Sequence, residues 1–204
     1  QDSVMISLDR MNAIREIKAN AKVAIVESGA ILEKIHQAVD EHDLVFPLLF
    51  GARGSAMIGG NLSTNAGASN VLRYGNTRDL CLGIEVVLAD GRVMNLMSEL
   101  RKDNTGLNLK NIFIGAEGTL GIITATVLRL HPKPLAYVTA MVGLKDLTES
   151  LSLLNRLQNE TGGSVEAFEF MPRRYIERHL EKKEGSAEPF SEPHDVNILL
   201  EVAT

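Results

Sequence analysis

Glycine is the residue whose distribution most constrains this fold, because two short stretches hold more than half of the 17 glycines. The clustered positions are Gly51, Gly54, Gly59, Gly60, Gly67 and Gly75, then Gly115, Gly118 and Gly121. Glycine loses the most backbone freedom on folding, so dense glycine is costly to order. The cost is justified where main-chain N–H groups must approach an anion such as a pyrophosphate. Tight turns in a β-rich domain have the same composition, and the residues alone leave both interpretations open.

Common nucleotide-binding and metal-binding motifs are absent from the sequence. No Gly-x-Gly-x-x-Gly opens a helix after a strand, and no Gly-Lys-Ser/Thr completes a P-loop. The five histidines are scattered and Cys81 is the single cysteine, so we predict no metal ligand. We expect His36 and His42 on a solvated helix side, and we predict no catalytic residue in this chain.

Charge and hydropathy exclude several partners. The 21 basic and 26 acidic residues give a net charge of −5, which disfavours general binding to nucleic acid or anionic membranes. The uncharged residues 54–72 are rich in Gly, Ser and Asn, which indicates an ordered loop and no transmembrane segment. We predict a cytoplasmic location, with a mitochondrial or membrane-peripheral location of the parent protein left open.

Local patterns predict mixed helix and strand in the first two thirds of the chain. We expect strands at residues 23–26, 84–88, 93–97 and 122–130, and a helix with apolar residues spaced over 31–39. Asp90-Gly91 predicts a hairpin turn. A short helix at 109–113 is expected to use Asn108 as its N-cap.

A boundary is predicted at Pro132-Lys133-Pro134, where the pattern changes. Beyond it we expect strands at 137–142, 165–170 and 196–202, separated by helices at 147–158 and 173–181. This order is typical of the beginning of a split α/β sandwich. The chain opens without Met and closes on a buried strand, so we expect a piece of a longer protein.

Several motifs in order resemble the FAD-linked oxidases. They are GARGSAMIGGNLSTNAG at 51–67, LRYG at 72–75, DNTG at 103–106 and FIGAEGTLGIIT at 113–124. This family is also called the vanillyl-alcohol oxidase or PCMH-type flavoproteins. SLDRMN at 7–12 resembles one of its strands, and EAFEFM at 166–171 resembles the opening of its substrate or cap domain. Within the family the resemblance is to the D-2-hydroxy-acid branch: glycolate oxidase FAD subunit, D-lactate dehydrogenase and D-2-hydroxyglutarate dehydrogenase.

The resemblance implies an α+β fold and an FAD cofactor. Residues 1–133 would form a PCMH-type FAD-binding domain that lacks its N-terminal pyrophosphate loop, and 134–204 the start of a ferredoxin-like α/β cap domain. Residues 51–58 would line the flavin and ribityl chain, 59–67 the pyrophosphate, and 117–123 the adenosine. The cofactor-binding residues so implied are Gly51, Gly54, Ser55, Met57, Ile58, Gly59, Gly60, Thr64, Asn65, Gly67, Glu117, Gly118, Gly121, Ile122 and Ile123. Ala68, Leu107 and Ala116 depart from the family's usual glycine, tyrosine and serine.

The implied activity is oxidation of a D-2-hydroxy acid by hydride transfer to the flavin N5. The catalytic base and the cations that hold the substrate carboxylate would lie outside this chain, so we expect the chain alone to be inactive and to bind FAD weakly or not at all. The electron acceptor (quinone, cytochrome or electron-transfer flavoprotein) and the oligomeric state stay open. Two alternatives remain: another flavin oxidase or synthase of the same fold, of the alcohol, aldonolactone or ether-lipid type, or a non-catalytic flavin-binding subunit.

Overall fold

Alternating apolar residues build an antiparallel sheet in the first part of the chain. In the computed structural model, which describes residues 4–204, its five strands run in the order β1-β2-β6-β4-β5. Their bounds are β1 Ile14–Lys18, β2 Val23–Glu27, β4 Cys81–Val87, β5 Val93–Leu96 and β6 Ile122–Arg129, and a separate pair joins β3 Leu44–Val45 to β7 His131–Pro132. The Asp90-Gly91 hairpin is confirmed, with Gly91 at a φ of 83° between β4 and β5.

Helices cover this sheet through apolar faces. They are α1 Leu32–Asp40, α2 Ile58–Ser63 and α4 Lys110–Phe113, with a 3₁₀ helix at Gly51–Gly54 before α2. Leu32, Ile35 and Val39 lie on one side of α1 and are at most 1% exposed. They belong to a single apolar cluster that also contains the inward residues of β2, β4 and β6. Burial of this apolar stripe stabilises α1 more than helix propensity does.

A second sheet forms after Lys133. It has three strands in the order β8-β10-β9, and the central β10 is antiparallel to both neighbours. The elements are β8 Tyr137–Leu144, α5 Leu147–Glu160, β9 Val165–Pro172, α6 Arg173–Lys182 and β10 Val196–Ala203, which confirms the predicted strand and helix order. Asp146 caps α5, since its Oδ1 accepts from Thr148 N at 2.8 Å and Glu149 N at 3.2 Å.

The structure divides into two compact units. Among the described residues, unit 1 comprises residues 4–68 together with Tyr74–Lys133, and unit 2 comprises Ser69–Arg73 together with Pro134–Thr204. The short segment 69–73 carries most of α3, which spans Val71–Tyr74. It is held within unit 2 by Glu166, whose carboxylate accepts from Arg73 Nη1 and from Asn70 Nδ2, each at 2.7 Å.

Four local predictions are wrong. The segment 7–12 is a turn closed by Met11 N donating to Leu8 O, and the strand lies later, at β1. The expected loop at 54–72 contains α2 and part of α3. Leu109 precedes α4 as its N-cap residue, while Asn108 Oδ1 accepts from Lys110 Nζ. His36 is half-buried, with its ring 6.4 Å from that of Phe46, instead of solvated.

Candidate functional site

The two glycine-rich stretches meet in unit 1. Gly115 N donates to Leu62 O at 3.0 Å, and Glu117 N donates to Ser63 O at 2.9 Å. These bonds place the turn that follows α4 against the C-terminal end of α2. We call the combined face, formed by residues 51–67 and 115–123, the glycine surface. The fold therefore brings together two segments that are about 50 residues apart in sequence.

Arg78 fixes both halves of the glycine surface. Its main-chain N donates to Asn65 Oδ1 at 3.0 Å. Its guanidinium donates to the carbonyl oxygens of Asn111 and Ile114, each at 2.6 Å. Charge-assisted bonds of this kind are stronger than neutral ones. Sequence reasoning missed Arg78, and no motif marks it, because its acceptors are an amide side chain and two main-chain carbonyls that only the fold brings near.

Unusual backbone conformations occur in both halves of the surface. Asn65 has a φ of 48° and Glu117 a φ of 52°, in the left-handed region that residues other than glycine rarely adopt. Among the described residues, two further non-glycine residues with positive φ, Lys22 and Asp43, lie elsewhere in unit 1. The bonds from Arg78 N to Asn65 and from Glu117 N to Ser63 hold the two conformations. Strained residues of this kind cluster at binding sites.

Neighbouring glycines of α2 have different physical reasons to be glycine. A Cβ at Gly59 would lie 2.6 Å from Ser28 Cβ and 3.0 Å from Ser28 O, so close packing excludes a side chain there. A Cβ at Gly60 or at Gly51 would meet nothing within 4 Å, and both positions are exposed. In a helix, Gly60 costs about 1 kcal/mol relative to alanine. Packing inside unit 1 does not explain this cost.

The predicted residues differ in how much of each can reach a ligand. Ile58 and Ile123 are 0% and 3% exposed and belong to the apolar core, so only their main chain could make contact. Gly59 is buried as well. The half-buried group comprises Met57, Asn65, Gly121 and Ile122. The exposed group comprises Gly51, Gly54, Ser55, Gly60, Thr64, Gly67, Glu117 and Gly118.

The first amides of α2 are already engaged within the protein. Ile58 N donates to Ala30 O at 3.0 Å, Gly59 N to Ser28 O at 2.8 Å, and Gly60 N to Met57 O at 3.0 Å. The expectation of consecutive N–H groups open to an anion is therefore not met at residues 58–60.

A buried donor is nevertheless present beside Gly60. Asn61 is 4% exposed, and its Nδ2 meets no acceptor within the described residues. An unsatisfied buried donor is unusual, but this nitrogen has almost no accessible surface, so a ligand could not contact it without movement of the side chain. The open space at the exposed Gly60, in contrast, leaves room for a ligand to approach the main chain of α2.

The start of β6 offers main chain to a ligand. β2 pairs with β6 only over residues 125–129, and Ser28 N then donates to Thr124 O. Ile122 and Ile123 pair with Val87 and Val86 of β4. In the part of the chain that the structure describes, no strand pairs with the opposite side of Ile122 and Ile123. Main-chain groups without a strand partner need another hydrogen-bonding partner, such as solvent or a ligand.

Comparison with known proteins identifies the family. A model described as an FAD binding domain matches residues 1–97. D-2-hydroxyglutarate dehydrogenase, mitochondrial, of Rattus norvegicus is 44% identical over 170 residues, covering 83% of this chain and 32% of the relative. The chain belongs to the FAD-linked oxidase family. FAD is thus the cofactor of this domain, and the predicted family and cofactor are confirmed.

Two further comparisons extend this result. The D-2-hydroxyglutarate–pyruvate transhydrogenase of Saccharomyces cerevisiae is 35% identical over 202 residues, covering 99% of this chain and 41% of the relative. An alkyldihydroxyacetonephosphate synthase structure superposes with a TM-score of 0.77 at 19% identity, covering 95% of this chain and 38% of that one. This likeness confirms the fold class. The chain spans about a third of the length of the rat relative.

Residues 4–204 contain no helix that is both long and apolar enough to span a membrane. Within the same range, no three His, Cys, Asp or Glu side chains are grouped so that they could hold a metal ion. The assignment of individual residues to the flavin, pyrophosphate and adenosine stays a prediction.

Proposed function

We propose that this chain supplies the flavin-binding part of an FAD-dependent dehydrogenase that oxidises a D-2-hydroxy acid. The observation that carries the proposal is the glycine surface, where exposed glycines of residues 51–67 lie beside the turn that leads into the start of β6. The names of the rat and yeast relatives favour D-2-hydroxyglutarate as substrate over lactate or glycolate. When bound, FAD supplies the acceptor for the hydride.

The residues of the glycine surface would bind and orient the cofactor. Gly51 and Gly60 leave room for its close approach. The main chain of Ile122 and Ile123 would contact the adenine. Arg78 would act as a positioning residue, because it holds Asn65 and the carbonyl end of α4 in place. Preorganisation of this kind reduces the cost of ordering a binding site.

We extend the proposal to domain roles and location. Residues 1–133 would form the FAD-binding domain and 134–204 the beginning of the substrate domain. The relatives from Rattus norvegicus, Bos taurus and Danio rerio are named as mitochondrial, which supports a mitochondrial over a cytoplasmic location. The name of the yeast relative suggests pyruvate as an acceptor, beside the quinone, cytochrome and flavoprotein acceptors left open above.

The cofactor site is tested by titrating FAD into the full chain and following flavin fluorescence. We expect weak binding, which Gly60→Leu reduces at least tenfold because the new side chain fills the space the cofactor needs. Gln37→Leu is the control, since it adds the same side chain at an exposed position of α1. Equal affinity of Gly60→Leu and the control would contradict the site, and nanomolar binding by the chain alone would contradict its expected incompleteness.

The substrate class is tested on the full-length protein with a panel of substrates. The panel contains D-2-hydroxyglutarate, D-lactate, glycolate and an aldonolactone, with dichlorophenolindophenol as electron acceptor. We expect the fastest dye reduction with D-2-hydroxyglutarate. A faster rate with the aldonolactone would favour an oxidase of the alternative type, and a colourless protein that ignores added FAD would refute any flavin enzyme.

A further inference from the structure

Residues 66–77 leave unit 1 and return to it, and their middle part, Ser69–Arg73, belongs to unit 2. We call residues 66–77 the connecting segment. Its first residues overlap the segment 59–67, the part of the glycine surface that is predicted to contact the pyrophosphate. The proposed function gives no role to the rest of the connecting segment.

Two hydrogen bonds close the connecting segment within unit 1. Ala66 O accepts from Thr77 N at 3.1 Å and from Thr77 Oγ1 at 2.7 Å, and Thr77 is fully buried. The same part of the chain is bonded to the glycine surface. Ala66 N donates to Asn61 O at 2.8 Å, and Arg78 N donates to Asn65 Oδ1 at 3.0 Å. The closure therefore lies directly beside Asn65 and its left-handed backbone.

The returning half of the connecting segment is fixed by Asp79. Asp79 Oδ2 accepts from Asn76 N at 2.9 Å. Gly75 has a φ of 79°, and a Cβ at this position would lie 2.7 Å from Asp79 Cβ. Glycine suits both the backbone conformation and the close approach. The chain is therefore held in one conformation just before Thr77.

In unit 2, Glu166 holds the middle of the connecting segment. Its carboxylate accepts from Asn70 Nδ2 and from Arg73 Nη1, each at 2.7 Å. Arg73 Nη1 also donates to Ala203 O at 2.9 Å, so β9 and the end of β10 both bind the same guanidinium. Charge-assisted bonds of this kind fix the geometry of both partners more narrowly than an apolar contact does.

A β-bulge places Glu166 at this position. Val165 and Ala167 of β9 pair with Val202 and Glu201, which are consecutive residues of β10. Glu166 is therefore the extra residue of the bulge. Bulges redirect a side chain away from the regular alternation of a strand. The carboxylate is thereby available to residues 69–73 although it is only 1% exposed.

Short stretches of chain join the two sets of bonds. Residues 67–69 separate Ala66 from Asn70, and residues 74–76 separate Arg73 from Thr77. A step of four residues spans at most about 14 Å when fully extended. The positions of Asn70 and Arg73 therefore restrict where Ala66 and Thr77 can lie.

We propose that Glu166 is a positioning residue for the cofactor segment 59–67 and acts through the connecting segment. It holds Asn70 and Arg73, and the short stretches of chain pass this restraint to Ala66 and Asn65. The role rests on the proposed function, because the restrained residues are those predicted to bind the pyrophosphate. Preorganisation of a site reduces the cost of ordering it on binding. A carboxylate of unit 2 thereby raises the affinity of unit 1 for the cofactor.

The restraint is tested by amide hydrogen exchange in the full chain without flavin. Glu166→Gln keeps the size of the side chain and removes its charge. We expect exchange at Ala66 and Thr77 to become at least fivefold faster, because the closing bonds open more often. The amide of Leu88, which donates to Arg92 O at 2.9 Å in the hairpin, is the internal reference and should not change.

The matched control is Ile198→Ala, which truncates a buried side chain of β10 and leaves the carboxylate of Glu166 in place. It weakens unit 2, but we expect exchange at Ala66 and Thr77 to change less than twofold. If circular dichroism shows that Glu166→Gln does not fold, Asn70→Ala replaces it with the same expected increase. Unchanged exchange, or equal increases in this variant and the control, would overturn the proposal.

The consequence for the cofactor is measured by titrating FAD into the full-length protein after removal of its flavin. Glu166→Gln should raise the Kd for FAD at least fivefold, and Ile198→Ala less than twofold. Equal affinity of Glu166→Gln and the unchanged protein would overturn the positioning role. Failure of the unchanged protein to bind FAD would refute the proposed function instead, and the exchange comparison would still decide whether Glu166 restrains the segment.

Discussion

Units 1 and 2 are stabilised in different ways. Unit 1 surrounds an apolar cluster that includes fully buried side chains from α1, α2 and three strands. Unit 2 has a small apolar cluster in which only Val196, Ile198 and Leu200 are buried, and α5 contributes no buried residue. It instead buries a carboxylate, Glu166, at 1% exposure. The comparison indicates that packing sets the stability of unit 1, whereas unit 2 depends strongly on one polar cluster.

The largest effect is expected from Glu166→Ala. This change leaves Arg73, whose side chain is 24% exposed, without the carboxylate that it contacts at 2.7 Å, and removes the acceptor of Asn70. Breaking a buried pair costs about 3–5 kcal/mol. Urea unfolding combined with hydrogen exchange in β9 and β10 measures the loss. Arg156→Ala is the control, because its pair with Glu160 is exposed and worth at most about 0.5 kcal/mol. Equal losses in the two variants would refute the dependence on Glu166.

A smaller effect is expected from removing the same apolar side chain in each unit. Ile35 is 0% exposed in unit 1, and Ile198 is 1% exposed in unit 2. Truncation of either to alanine should lower the free energy of unfolding by about 2–4 kcal/mol. Because its core is small, unit 2 should exchange amide hydrogens faster throughout in Ile198→Ala. In Ile35→Ala, faster exchange should be confined to α1 and its neighbours within unit 1. Faster exchange throughout unit 1 in Ile35→Ala, together with only local changes in Ile198→Ala, would contradict the proposed difference between the two units.

The smallest effect is expected from pH, through His36 in unit 1. Burial, and then the nearby charge of Arg53, lower the pKa of His36 below its usual value. The unfolded chain binds this proton near pH 6.5, so the stability that neutral His36 contributes is complete above that pH. It declines as the pH falls from about 6.5 toward the lower folded pKa. His36→Gln should flatten the pH dependence of urea unfolding over this window. The exposed His179 of unit 2 provides the control variant His179→Gln, which should retain the slope.

Local sequence patterns predicted many of the helices and strands. The elements that they missed depend on contacts between residues distant in sequence. The elements of unit 2 follow from apolar spacing, and the hairpin follows from Asp90-Gly91. Helix α2 was missed because two adjacent glycines disfavour a helix. It forms there because Ile58 N and Gly59 N find acceptors in the segment that precedes α1.

The candidate site was predictable as two segments but not as a set of contacts. Gly59 and Gly60 are the same residue type at neighbouring positions. Only the fold shows that Gly59 packs against Ser28 whereas Gly60 faces open space. Ile58 is likewise buried in the apolar core, although other residues of the same motif are exposed. Arg78 could not be selected, because the acceptors of its guanidinium lie more than 30 residues further along the chain.

The placement of residues 69–73 limits how this chain can be divided or recombined. The chain enters unit 2 at Ser69, returns to unit 1 at Tyr74, and crosses again after Lys133. A hybrid protein that replaces only the part after residue 133 would set a foreign residue opposite Asn70 and Arg73. Exchange of unit 2 between relatives therefore requires the replacement of two separate chain segments. Inheritance of unit 2 through a single recombination event is disfavoured.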